Sequence, residues 1–163
     1  MIPVNISSMS MEHSPADEFQ EFYARNEAGR LFARAYMKSL VYKIGVLLTG
    51  RSNRICQLHQ EKRGKNVRTQ HYEGVRTVSV DCIRGSENRE NDFDNRFHPL
   101  RKHTKSRWTA IAAEMLMGHE LPPVDLIKLG DVYFVRDGHH RVSAAQAIGQ
   151  KAIDANVTTW ATA

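Results

Sequence analysis

The run Tyr133-Phe134-Val135-Arg136-Asp137-Gly138-His139-His140-Arg141-Val142-Ser143-Ala144-Ala145-Gln146-Ala147-Ile148-Gly149 changes from strand period to helix period across one glycine, and it constrains the fold more tightly than any other stretch. Val132 to Val135 is short, apolar, and β-branched or aromatic. Val142, Ala145 and Ile148 then recur at helical spacing, and Gly149 stands where a left-handed C-cap belongs. The chain here must run strand, tight turn, helix, with Gly138 in the turn and His139, His140 and Arg141 opening the helix. A first helical turn carries unpaired N–H groups and partial positive charge, so an anion docked there meets backbone donors, a guanidinium and two imidazoles. Gly138, His139, His140 and Arg141 are therefore candidate phosphate ligands. Asp137 is placed to orient a histidine or to hold a metal-bound water. The plainer alternative is that these histidines only cap the helix or hydrogen-bond locally.

The flanking segments supply a sheet. Leu121-Pro122-Pro123 leads into a strand expected over Val124 to Leu129, and Gly130-Asp131 reads as a two-residue hairpin turn into Val132 to Val135. A short final strand is expected over Ile153 to Val157. Upstream, Val78, Val80 and Cys82 alternate with Thr77, Ser79 and Asp81, which predicts a half-buried strand over Thr77 to Ile83. The polar loop Arg84-Gly85-Ser86-Glu87-Asn88-Arg89 follows, and Glu87 is its only carboxylate. Glu87 is thus a candidate general base or magnesium ligand, with a solvated acid of no chemical role as the alternative. Phe93 and Phe97 are spaced for one side of a helical turn and are expected to anchor a flap. A helix from Lys105 to Met117 presents Trp108, Ile111, Ala112 and Met115 on one face, and Gly118 stops it.

Before this region the pattern is helical and then basic. Residues 1 to 13 read as a flexible leader. Ser14-Pro15-Ala16-Asp17 then combines an N-cap, a proline at the first helical position and an acid in the first turn. An apolar stripe from Phe19 through Phe22, Tyr23, Leu31, Phe32, Ala35, Tyr36, Leu40 and Ile44 to Leu47 and Leu48 continues to Gly50, as one helix or as two broken at Gly29 or Gly45. Such a stripe must be covered, by the later domain in the preferred reading or by a second copy of itself. Residues 51 to 76 lose the apolar period and read as a basic linker or an extended edge segment.

Charge and cysteine usage narrow the class. The 163 residues carry a formal net charge of +5, and residues 51–110 hold fourteen Lys or Arg against seven Asp or Glu. A surplus of that size is compatible with nucleic acid or an anionic small molecule, with a solvated basic surface preferred to a DNA track, and any contact with DNA is expected to be weak and sequence-indifferent. No apolar run approaches the roughly 20 residues that cross a bilayer, so a cytoplasmic protein without membrane partners is expected. The two cysteines, Cys56 and Cys82, read as reduced thiols.

Residues from Thr77 to Trp160, and above all LPPVDLIKLGDVYFVRDGHHRVSAAQAIGQKAIDANVT, resemble the ParB/sulfiredoxin superfamily, in particular the ParB-like N-terminal (ParB-like nuclease) domain with an Asp-Gly-His-His-Arg signature. The resemblance implies an α/β fold, a small mixed sheet with helices over residues 77–163, preceded by a helical extension and basic linker over residues 1–76. It also implies that the turn holds the phosphates of a nucleoside triphosphate, CTP or ATP, with Mg2+, and that Gly85, Ser86 and Arg89 form a nucleotide-facing loop. Glu87 and Asp137 would then converge on one cleft and share the metal. Partition proteins carry Gly-Glu-Arg-Arg at this turn and sulfiredoxins Gly-Cys-His-Arg. His139 thus stands where the latter have their catalytic cysteine, and sulfinic acid reduction is not expected. The catalytic candidates are Glu87, Asp137 and His139. The function implied is nucleotide-phosphate binding by a regulatory or DNA-associated module, with NTP hydrolysis left open. The alternatives are a phosphotransferase resembling the free-serine kinases or a metal-dependent, non-specific nuclease.

Overall fold

The computed structural model describes residues 14–50 and 53–162; the leader expected over residues 1–13 lies outside them. Helix α1 (Pro15–Thr49) starts at the expected cap, where the Ser14 side chain accepts from the Ala16 N–H and the Asp17 carboxylate accepts from the Ser14 N–H. It runs unbroken through Gly29 and Gly45 and ends at Gly50 in the left-handed conformation. No helix among the described residues is long and apolar enough to cross a membrane.

A short strand β1 (Cys56–Gln57) leads into a single helical turn α2 (Leu58–Glu61), and the long strand β2 (Val67–Ser79) follows. Of the two readings for residues 51 to 76, the extended edge is the one realised, since β2 lies at the end of the sheet and pairs antiparallel with the last strand. It passes residues 76 and 77 without a break. The strand expected over Thr77 to Ile83 is divided. Val80–Cys82 form a 3-10 turn between β2 and β3 (Ile83–Ser86), and the chain there leaves one edge of the sheet for a position beyond β6, β4 and β5.

Helix α3 (Lys105–Leu116), strand β4 (Val124–Leu129), strand β5 (Val132–Asp137), helix α4 (His139–Ile148) and strand β6 (Ala152–Thr162) complete the chain. The mixed six-stranded sheet has the order β1-β3-β5-β4-β6-β2. The β4–β5 hairpin is antiparallel around Gly130, whose φ of 62° supplies the turn. β3 with β5 and β4 with β6 are parallel. The expected final strand is longer than Ile153 to Val157, because pairing with β2 continues out to Thr162.

Central strands carry apolar side chains to both faces, as a doubly covered sheet requires. Val124, Leu126, Val135 and Val142 pack with Phe93 and Phe97 on one face, while Ile127, Leu129 and Phe134 pack with Leu58 and Trp160 on the other. A helical layer of α1, α3 and α4 closes the first face around Trp108, Phe32, Ala28 and Ala144. Phe93 and Phe97 are both buried as expected, but not on a helical turn. The segment forms bridges and turns, with Phe97 at φ 54° and Phe93 bridged to Pro99, held by Asp94 accepting from the Arg96 and His98 N–H groups.

Candidate functional site

The β5-to-α4 turn is built as the sequence pattern requires. Gly138 sits at φ 90° as the N-cap of α4, and a Cβ placed on it would lie 2.5 Å from the Val124 Cγ1 atom. Only glycine satisfies both the left-handed backbone and this close approach. Glycine also has no side chain to cap the helix, and among the described residues no side-chain cap bond is made at this end of α4. The Gly138 carbonyl accepts from the Val142 N–H at 3.0 Å, the first bond of the helix, and the three N–H groups before it form its open mouth.

His139 is buried and fixed. Its Nε2 lies 2.8 Å from Ser86 Oγ, and the same oxygen accepts from the Asn88 and Arg89 N–H groups at 3.2 and 2.9 Å. With both lone pairs engaged, the serine hydroxyl donates its proton to Nε2, and the histidine hydrogen belongs on Nδ1. Burial, reinforced by the Arg89 guanidinium, pushes the His139 pKa down to about 4, consistent with a neutral ring at that position. His140 is likewise held below the ordinary range, first by burial and then by Arg107 and Arg89. The Phe93 ring stacks on His139 at 6.1 Å and meets His140 edge-on at 5.4 Å.

These groups line a cavity of about 40 Å³ together with Arg89, Arg107, Ile111 and Asp137. His140 Nδ1 is buried and has no hydrogen-bond partner among the described residues. Arg89 is anchored by Asp92 at 3.1 Å, whereas the exposed Arg107 of α3 has no carboxylate within ion-pair distance among the described residues.

Arg141, Asp137 and Glu87 have partners within the protein, and Arg141 and Asp137 line the cavity as well. The Arg141 Nη1 donates to the Pro122 and Pro123 carbonyls, the latter at 2.9 Å, and Nη2 donates to Asp137 at 2.9 Å. Its guanidinium thus clamps the Pro122-Pro123 entry into β4 onto α4, and Asp137 orients this arginine rather than a histidine. Glu87 pairs with Arg136 at 3.2 Å and does not line the cavity. A magnesium ion shared by Glu87 and Asp137 does not fit this arrangement, because each carboxylate already faces a guanidinium. Among the described residues no three His, Cys, Asp or Glu side chains gather where they would hold a metal.

Gly85 and Ser86 lie in β3 rather than in a loop. A Cβ on Gly85 would fall 2.0 Å from the Phe134 ring, so this glycine is there to seat Phe134, and Ser86 points its hydroxyl at His139. Arg89 alone of the expected loop residues reaches the cavity. Arg107 and Phe93 are the residues that spacing did not place there. Arg107 is visible in the sequence only as one cation in the Arg101–Arg107 cluster, and nothing local tells it from its neighbours.

A second, larger concavity of about 990 Å³ opens at the other end of α4, lined by Arg34, Lys38, Arg54, Arg84, Arg96 and Lys151 with Asp81 as the acid. The basic surplus of the middle of the chain is thereby gathered with two cations from α1 and one from the α4–β6 turn.

No family model matches the chain, and no curated protein matches it in sequence. Among solved structures, sulfiredoxin from Arabidopsis thaliana is similar over 51% of this chain and 82% of its own, at 19% identity and a TM-score of 0.38.

Proposed function

We propose that the chain is a ParB-like nucleotide-phosphate-binding module whose cradle is the mouth of α4. The observation that carries this reading is that one small cavity is lined by Gly138, His139, His140 and Arg141 at the uncapped start of α4 together with Arg89 and Arg107, with His140 Nδ1 buried and unpartnered among the described residues. A buried polar atom without a partner costs about 1–3 kcal/mol, and a phosphate oxygen in the cavity would relieve that cost. Two arginines and a helix N-terminus favour a doubly charged group over a neutral one. A cavity of about 40 Å³ accommodates one phosphoryl group, with sugar and base outside it. CTP and ATP should therefore bind alike, and inorganic phosphate should compete with both.

Calorimetric titration of the protein with ATP, CTP and phosphate, with and without Mg2+, tests the reading. Arg107→Ala should weaken whichever of these binds by about ten- to a hundredfold, the usual effect of losing a charge-assisted bond of about 1.5–3 kcal/mol. Unchanged affinity in Arg107→Ala and Arg89→Ala would remove the cradle.

The 990 Å³ cleft favours a second, weaker reading, contact with a nucleic-acid backbone through Arg34, Lys38, Arg84, Arg96 and Lys151. None of these five has a carboxylate within ion-pair distance among the described residues. Titration of a labelled duplex against Arg34→Ala/Lys38→Ala tests it, with equal binding by parent and variant as the outcome that rejects the cleft.

A further inference from the structure

Helix α1 is apolar on two opposite faces. Ala24, Ala28, Phe32 and Ala35 are buried against α3 and α4, with Ser39 buried on the same line. At about 100° per residue, Phe19, Tyr23, Met37, Val41, Ile44 and Leu48 point roughly the other way. All six are exposed, between 57% and 82%, and Phe22 and Leu47 beside them are exposed at 66% and 84%. Eight of the eleven exposed large apolar side chains among the described residues lie on this one helix, so the surplus is a property of α1 and not of the surface at large.

We propose that this outer stripe pairs α1 with α1 of a second copy of the chain, antiparallel, in a two-helix interface. An alignment that sets Phe19 on Leu48 of the second copy also sets Tyr23 on Ile44, Asn26 on Val41 and Arg30 on Met37. The two-fold axis then falls between Ala33 and Arg34, which come beside their own copies on opposite flanks of the seam, with the Arg34 heads reaching water. Every position so paired lies on the outer stripe, so one alignment satisfies all contacts at once, as a self-complementary interface requires. Alanine at the axis permits close approach. The Arg30 stem covers Met37 while its head reaches water, and the Asn26 amide donates to the Phe22 carbonyl of its own helix at 3.0 Å, so it faces Val41 without needing a partner across the seam. On the flank, Glu27 comes opposite Lys38. A parallel pair would instead leave the aromatic and aliphatic ends each facing themselves.

The area is sufficient. Aromatic side chains bury about 150–250 Å² each when covered, so Phe19, Phe22 and Tyr23, 63–70% exposed, offer roughly 300–500 Å² per copy. The five aliphatic side chains bring the total towards the roughly 800 Å² per partner of a stable interface.

Sedimentation equilibrium of the full chain tests this. The expected mass is twice the 18.6 kDa of one chain. Ile44→Glu and Val41→Glu should both give monomers with the parent far-UV spectrum and melting temperature, because neither side chain belongs to a core cluster. In a Cys56→Ser/Cys82→Ser background, Ala33→Cys should cross-link to a covalent dimer on oxidation and Leu48→Cys should not. A monomeric parent at 100-fold varied concentration, a dimer that survives both glutamate variants, or cross-linking at Leu48→Cys but not Ala33→Cys would each overturn the proposal.

Discussion

Ser86 Oγ makes three hydrogen bonds, donating to the buried His139 Nε2 and accepting from the Asn88 and Arg89 N–H groups in partly buried bonds. Its removal strands all three partners, so Ser86→Ala should cost about 1–3 kcal/mol or more in urea denaturation. His139 links the site to pH. Its pKa is about 4 when folded against the ordinary 6.5, so the unfolded chain binds a proton in that interval that the folded chain refuses. Its contribution to stability is therefore intact above pH 6.5 and lost as pH falls from there towards 4, at up to roughly 1.4 kcal/mol per unit. Denaturation curves across that window should slope less in His139→Gln. The two arginines divide their roles. Arg141→Ala, which frees the Pro122 and Pro123 carbonyls, should lower stability by about 1.5–3 kcal/mol. Arg107→Ala, on an exposed turn, should leave stability within about 0.5 kcal/mol and lower phosphate affinity. Equal loss of stability in both would contradict this division.

Within the elements, glycines report which constraint each element answers to. Gly149 ends α4 at φ 88° with open space around its Cβ direction, whereas Gly85 lies in β3 at ordinary φ against the Phe134 ring. Gly149→Ala should cost about 1 kcal/mol, the backbone strain alone. Gly85→Ala must displace a buried aromatic and should cost several times as much in the same denaturation assay. The order of the two would be reversed if β3 could slide away from Phe134. α1 shows the limit of reading a periodic stripe. Its apolar positions do form a helix from Ser14 to Gly50, but the sequence leaves open how they divide between the domain and the outside. The division follows from where α3 and α4 end: they cover the middle of α1 and leave both of its ends projecting.

At the scale of the whole molecule, charge is arranged by the fold. Arg34 and Lys38 come from α1, Arg84 from β3, Arg96 from the Phe93–Phe97 segment and Lys151 from the last turn, and only tertiary packing brings them to one cleft. Duplex binding there should be weak and should fall steeply between 50 and 200 mM salt, with log K changing by about −0.9 per phosphate contacted per decade of salt. A sequence-specific complex that persists at the higher salt would contradict it. The sequence by itself determined the strand–glycine–helix turn, the β4–β5 hairpin and the cap of α1, while the α/β class came from the resemblance. The first three rest on interactions within a few residues, where propensity, period and turn chemistry act. The tertiary structure decided what those local rules do not reach: the return of β2 and β6 to neighbouring positions, the engagement of Arg141 by carbonyls nearly twenty residues away, the pairing of Glu87 with Arg136, and the arrival of Arg107 beside His140. The physical reason is one of range. A guanidinium binds whichever acceptors the packed chain sets within reach, and its own neighbours in sequence carry no record of them.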